Sequence, residues 1–177
     1  MGKLIATTQA TLDGVIDPVG EWVQPGGDHA EYSFERQARS SGLVLGRKTY
    51  EGLAGYWPNE TGKWADMVNP MPKFVGSNSL SGDLEWNASL IEGPLEEAIP
   101  RLKEQVDGDL FMHGSGEFAY ALAERTLVDE YEIYFNPLIW GEGNVHVLGD
   151  RGTVRLELAD VKRFDSGVVL LTYVPAS

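Results

Sequence analysis

Three short apolar runs break off at glycine in the same manner, and this repetition constrains the fold more than any other feature of the chain. Leu43-Val44-Leu45 ends at Gly46 and enters Arg47-Lys48-Thr49-Tyr50-Glu51, while Phe74-Val75 ends at Gly76 before Ser77-Asn78-Ser79. Leu110-Phe111-Met112 runs through His113 into Gly114-Ser115-Gly116 and a helical stretch that extends to Arg125. Runs this short, without polar interruption, read as strands covered on both faces. Strand, glycine and helix in succession predict a mostly parallel sheet with helices on its faces.

The remaining segments fit that plan. Leu4-Ile5-Ala6-Thr7-Thr8 reads as a first buried strand, Asp13-Gly14 as a turn, and His29 to Ser41 as a helix that Gly42 stops. A loop rich in Trp57, Pro58, Trp64, Pro70 and Pro72 is expected before the strand at Lys73. Leu95, Ala98, Ile99, Leu102 and Val106 recur at helical spacing, with Pro100 expected to kink that helix or shift its start. After about residue 125 the period changes to two. Tyr131, Ile133 and Phe135 alternate with Glu130, Glu132 and Tyr134, and Val154, Leu156 and Leu158 alternate likewise. With Val168-Val169-Leu170-Leu171 as a last strand, an antiparallel C-terminal hairpin should close one edge. No linker divides the chain, so one domain over residues 1–177 is expected.

Composition excludes several chemistries. Fourteen basic against 27 acidic residues leave a net charge of −13, a field that repels nucleic-acid backbones. Cysteine is absent, which removes disulfides, thiol nucleophiles and cysteine metal sites together. The histidines His29, His113 and His146 show no metal-binding spacing, and no metal is expected. No apolar run approaches a membrane span, and Met1 to Ala6 carries no export signal, so a cytoplasmic chain without membrane partners is the expectation.

The strand ends are where a ligand belongs in such a sheet. A helix start presents unpaired N–H groups and about half a positive charge, which suits phosphate, and glycine lets the phosphate approach the backbone. Two such starts, at 46–49 and 114–117, can hold the two halves of a pyrophosphate. Arg47 and Lys48 oppose the dipole of the helix they open, a conflict that an anion relieves. With the hydroxyls of Ser77 and Ser79 they provide for an additional phosphate, which favours NADPH over NADH. Hydride transfer needs few protein acids beyond a proton source, for which Asp13, Asp28 and Glu31 are candidates. The glycine- and proline-rich stretch 17–27 around Trp22 reads as a flap over the ligand.

Taken in order, these pieces resemble the dihydrofolate reductase-like superfamily, and within it the reductase domain of riboflavin-biosynthesis enzymes. The resemblance rests on Thr11-Leu12-Asp13-Gly14, Leu45-Gly46-Arg47-Lys48-Thr49-Tyr50-Glu51, Pro72-Lys73-Phe74-Val75-Gly76-Ser77 and Gly114-Ser115-Gly116. It continues in Leu127-Val128-Asp129-Glu130, Pro137-Leu138-Ile139-Trp140-Gly141-Glu142-Gly143 and Gly167-Val168-Val169-Leu170-Leu171-Thr172-Tyr173. It implies a sheet of about eight strands, with NADPH lying across the strand ends. Gly46, Arg47 and Thr49 would line the pyrophosphate and adenosine side, Ser77, Asn78 and Ser79 the 2′-phosphate, and Gly114, Ser115, Gly116 and Glu117 the pyrophosphate. Thr8, Gln9 and Ile16 would border the nicotinamide, with Trp22 as flap and Phe34 facing the substrate. Relatives often carry a basic residue where Asn78 stands, and dihydrofolate reductases place a carboxylate where Ala30 stands, beside Glu31. The resemblance thus implies an NADPH-dependent reductase of a small pteridine or ribosylaminopyrimidine, possible as a homodimer. A genuine dihydrofolate reductase and a non-catalytic NADP(H)-binding protein are the alternatives.

Overall fold

The computed structural model describes residues 2–114, 116–143 and 152–176. One eight-stranded sheet forms the centre, with β1 at Leu4–Thr11, β2 at Gly42–Gly46, β3 at Lys73–Gly76 and β4 at Ala88–Leu90. β5 is Leu110–His113, β6 Glu130–Asn136, β7 Leu156–Arg163 and β8 Val169–Pro175. The order is β4-β3-β2-β5-β1-β6-β8-β7. All pairs from β4 to β6 are parallel, and β8 pairs antiparallel with both β6 and β7. The expected mostly parallel sheet with an antiparallel C-terminal hairpin is what forms.

Among the described residues six α-helices flank it: α1 at Val19–Trp22, α2 at Asp28–Ala38, α3 at Arg47–Tyr56, α4 at Lys63–Val68, α5 at Leu95–Gln105 and α6 at Glu117–Glu124. Side-chain alternation sorts them onto two faces. Leu4, Val44, Leu110 and Met112 turn toward α5 and α6, meeting Ile99, Leu102, Ala119 and Leu122. Ile5, Leu43, Leu45, Val75 and Phe111 turn the other way, toward Tyr50 of α3. The same face is covered by α2, whose Arg36 guanidinium lies 5.9 Å from the Phe111 ring centre.

Three local readings are corrected. The loop before Lys73 is not continuous, because Trp57–Asn59 winds as a 3-10 turn and α4 follows, held by buried Ala65 and Val68. Pro100 does not shift the start of α5, which begins at Leu95 behind Pro94 and runs through the proline with Ala98, Ile99 and Leu102 buried. Gly42 does not cap α2 but opens β2, where a Cβ would come within 2.9 Å of the Pro72 carbonyl oxygen.

Candidate active site

The site is built at the carboxyl ends of β2 and β5, which are hydrogen-bonded neighbours running in the same direction. From this edge α3 leaves onto one face of the sheet and α6 onto the other. Such divergence opens a crevice at the strand ends, the ordinary ligand position in an open α/β sheet. Neither helix start carries a side-chain cap: Gly46 precedes α3 and Gly116 precedes α6. Their first-turn N–H groups therefore have no capping side chain and point along the positive ends of two dipoles. The two starts also touch, since a Cβ on Gly114, whose φ is +95°, would lie 2.7 Å from Thr49 Oγ1. Gly116 faces open space.

The glycines at the other two strand ends have a packing role that the sequence alone did not show. A Cβ on Gly46 would meet Phe118 Cβ at 2.9 Å, and a Cβ on Gly76 would enter the Phe118 ring at 2.1 Å. These glycines make room for the second residue of α6. Their effect on the site is indirect: they seat Phe118 over β2 and β3, and so draw the start of α6 toward the start of α3.

Around this crevice the expected residues fall as follows. Arg47 is half-exposed and pairs with Glu51 on its own helix at 3.0 Å, while Lys48 is exposed. An i,i+4 surface pair is worth about 0.3–0.5 kcal/mol, so Arg47 exchanges Glu51 for a phosphate at little cost. Ser77 Oγ accepts the N–H groups of Ser79 and Leu80 at 3.1 and 3.0 Å, closing the turn after β3, and Asn78 and Ser79 are exposed beside it. Gln9 Oε1 accepts a hydrogen bond from Asn136 Nδ2 at 2.9 Å, and Ile16 is half-buried on the next turn. Glu117 is exposed at the first position of α6. Ser115 and His146 lie outside the described residues.

The carboxylates expected as proton sources already have structural partners. Asp13 accepts from Thr11 Oγ1 at 2.6 Å and from the N–H groups of Trp140 and Gly141 at 3.1 and 2.9 Å. Those bonds, the Thr11 hydroxyl foremost, hold its carboxyl down at about 2, so at neutral pH it has no proton to give. Asp28 accepts from the N–H groups of Asp165 and Ser166 and also lies below the usual carboxylate range, chiefly through Asp165. Glu31 forms an ion pair with Lys63 of α4. Phe34 meets Trp64 edge-on with centroids 5.1 Å apart, beneath the same lysine, and so joins α2 to α4. Trp22, expected on a flap, is buried in α1, and among the described residues its indole N–H has no partner.

Sequence reasoning missed the polar layer under α2. His29, Ser33 and Gln37 form the buried face of this helix, four residues apart. Gln37 Nε2 donates to Ser33 Oγ at 3.0 Å, and Gln37 Oε1 lies 2.8 Å from His113 Nε2 at the end of β5. Burial lowers the His113 imidazole to about 4. Beside them Arg36 bridges Glu130 and Glu132 of β6 at 2.7 and 2.6 Å. Burial pushes the Glu132 carboxyl up, and the Arg36 charge opposes it. The polar positions of α2 at a spacing of four were the available signal. Among the described residues no cluster of acidic and histidine side chains is arranged to hold a metal ion, and no helix is long and apolar enough to cross a membrane.

Comparison with known proteins agrees with this architecture. The model of the RibD C-terminal domain matches residues 2–170. An uncharacterized protein of Bacillus subtilis, YyaP, is 24% identical over 97% of this chain and 94% of its own. A putative riboflavin biosynthesis protein from Shewanella sp. PV-4 superposes with a TM-score of 0.73 at 22% identity, covering 99% of both chains. A pyrimidine reductase-like protein from Corynebacterium diphtheriae gives 0.70 at 14% identity, over 99% of this chain and 92% of that one. Dihydrofolate reductase from Enterococcus faecalis, solved with NADP(H), gives 0.62 at 17% identity over 99% and 98%. At these identities the solved structures establish the fold, which is that of dihydrofolate reductase.

Proposed function

The chain belongs to the RibD C-terminal domain family, a family of reductase domains, and from that premise we propose that it is an NADPH-dependent reductase of a small ribosylaminopyrimidine- or pteridine-type substrate. One observation carries the reading: two uncapped helix starts meet at the ends of two adjacent parallel strands, with Gly114 against Thr49. This donor set suits a pyrophosphate, because it offers backbone N–H groups and positive dipole ends rather than a buried carboxylate. Thr49, Gly114, Gly116 and Glu117 would hold the diphosphate, with Arg47, Lys48, Ser77, Asn78 and Ser79 at the adenosine 2′-phosphate.

Bound NADPH would supply the hydride. The protein's part is positioning and exclusion of water. Gln9, fixed by Asn136, and Ile16 border the reacting end. Asp13 acts there as a positioning residue, tying the turn after β1 to residues 140–141. Dihydrofolate reduction is not favoured, since Ala30 stands at the acid's position and Glu31 is engaged with Lys63.

Fluorescence titration with NADPH and NADH tests this reading. NADPH should bind tighter, and Arg47→Ala should weaken NADPH by roughly one to two decades while leaving NADH nearly unchanged, as expected for one charge-assisted contact. Equal affinity for the two nucleotides would refute the 2′-phosphate assignment.

A further inference from the structure

His113 holds a position that the reading above does not use. It ends β5, in register with Thr7 of β1 on one side and Leu45 of β2 on the other. Its ring turns to the α2 face, where Gln37 lies against Nε2 at 2.8 Å. The next residue, Gly114, is the one that packs against Thr49 at the start of α3. The imidazole therefore stands on the crevice floor, between the helix that grips it and the helix start assigned to the pyrophosphate.

The grip fixes the chemistry of the ring. Gln37 gives its amide N–H to Ser33, so its carbonyl oxygen faces the histidine. A carbonyl oxygen accepts, so Nε2 carries the proton and Nδ1 is a bare lone pair. Among the described residues Nδ1 has no partner, and His113 is half-buried at the end of β5. It is a fixed acceptor at the strand ends. Burial keeps the ring neutral well below its ordinary range, so it accepts at physiological pH and does not serve as an acid.

Resting on the reductase reading, we propose that His113 is a specificity-determining residue whose Nδ1 accepts a hydrogen bond from an N–H donor at the reacting end of the bound ligands. Two sources offer that chemistry: the carboxamide of the nicotinamide and a ring or amino N–H of a pyrimidine. A ligand presenting a carbonyl or a bare ring nitrogen at this point would set lone pair against lone pair and be rejected.

The test uses His113→Leu, which removes the acceptor, and His113→Asn, which restores one near the Nδ1 position. The probes are NADPH, adenosine 2′,5′-bisphosphate (which lacks the nicotinamide) and 5,6-diaminouracil added to the NADP+-loaded protein. A loss of about three- to tenfold in NADPH affinity with His113→Leu, with the bisphosphate unchanged and His113→Asn recovering, assigns the carboxamide. The same loss confined to 5,6-diaminouracil assigns the substrate. If all three probes bind His113→Leu as they bind wild type, the inference is overturned and the reductase reading stands. If wild type binds neither nucleotide, that reading falls and takes the inference with it. Should His113→Leu not fold, the ¹⁵N resonance of Nδ1 in the wild type decides: it shifts on addition of NADPH, or of 5,6-diaminouracil to the NADP+-loaded protein, or the proposal is wrong.

Discussion

The layer beneath α5 and α6 and the layer beneath α2, on opposite faces of the sheet, are packed in opposite ways, while beneath α3 the second face is apolar again. Beneath α5 and α6 lie Leu4, Val44, Ile99, Leu102, Leu110 and Leu122, an apolar layer of common design. Beneath α2 lie His29, Ser33, Arg36 and Gln37, set against Glu130, Glu132 and His113. A polar layer inside a fold contributes less than apolar packing of the same volume and is expensive when left incomplete. His113, at the carboxyl end of β5, belongs to it. The apolar layers hold the strands in place, and the polar layer fixes the orientation of groups along them.

The contrast can be broken most sharply at Arg36. Arg36→Met should cost about 3–5 kcal/mol in chemical denaturation, because it leaves Glu130 and the fully buried Glu132 without their shared counterion. The deficit should shrink as pH falls. Glu132 already lies above the usual carboxylate range, and without Arg36 it rises further, so the native state binds a proton more readily than the unfolded chain. A deficit independent of pH would show that the carboxylate is not the cause.

Leu122→Ala tests the apolar face. Leu122 is fully buried, and its loss should cost about 3 kcal/mol with no pH dependence and no change in nucleotide affinity. A loss of NADPH binding at matched stability would mean that the two faces are not separable.

The smallest effect belongs to His113 and appears only in acid. Its folded value of about 4 lies below the 6.5 of the unfolded chain. Between those values the unfolded state binds the extra proton, so the contribution is intact above about pH 6.5 and is lost as pH falls toward 4. Allowing for partial solvent screening, about 1–2 kcal/mol should disappear in urea titrations across that window and be missing in His113→Leu.

What the sequence revealed divides along the same line. Strands and glycine junctions were legible because they are local: Leu43-Val44-Leu45-Gly46 declares its strand and its break within four residues. The C-terminal hairpin was legible from its period of two. The polar layer was not, because its meaning depends on contacts at long range. Arg36 meets Glu130 and Glu132 across 94 and 96 residues, and each side chain alone reads as a solvated surface charge. Asp13 and Glu31 showed the reverse problem. Both have the right chemistry for acids, but Trp140, Gly141 and Lys63 engage them from distant segments. The Gly46 junction was legible as a break, but its neighbour Phe118 was not, because that side chain enters from another helix.

That neighbour sets a rule for how such a chain can diverge. A Cβ on Gly76 would enter the Phe118 ring, while a Cβ on Gly46 would meet Phe118 Cβ, an atom that every residue but glycine carries. A lineage can enlarge Gly76 only after the aromatic has shrunk, whereas shrinking the ring alone leaves Gly46 blocked until the helix itself shifts. The order of substitution at positions 76 and 118 is thus fixed by geometry.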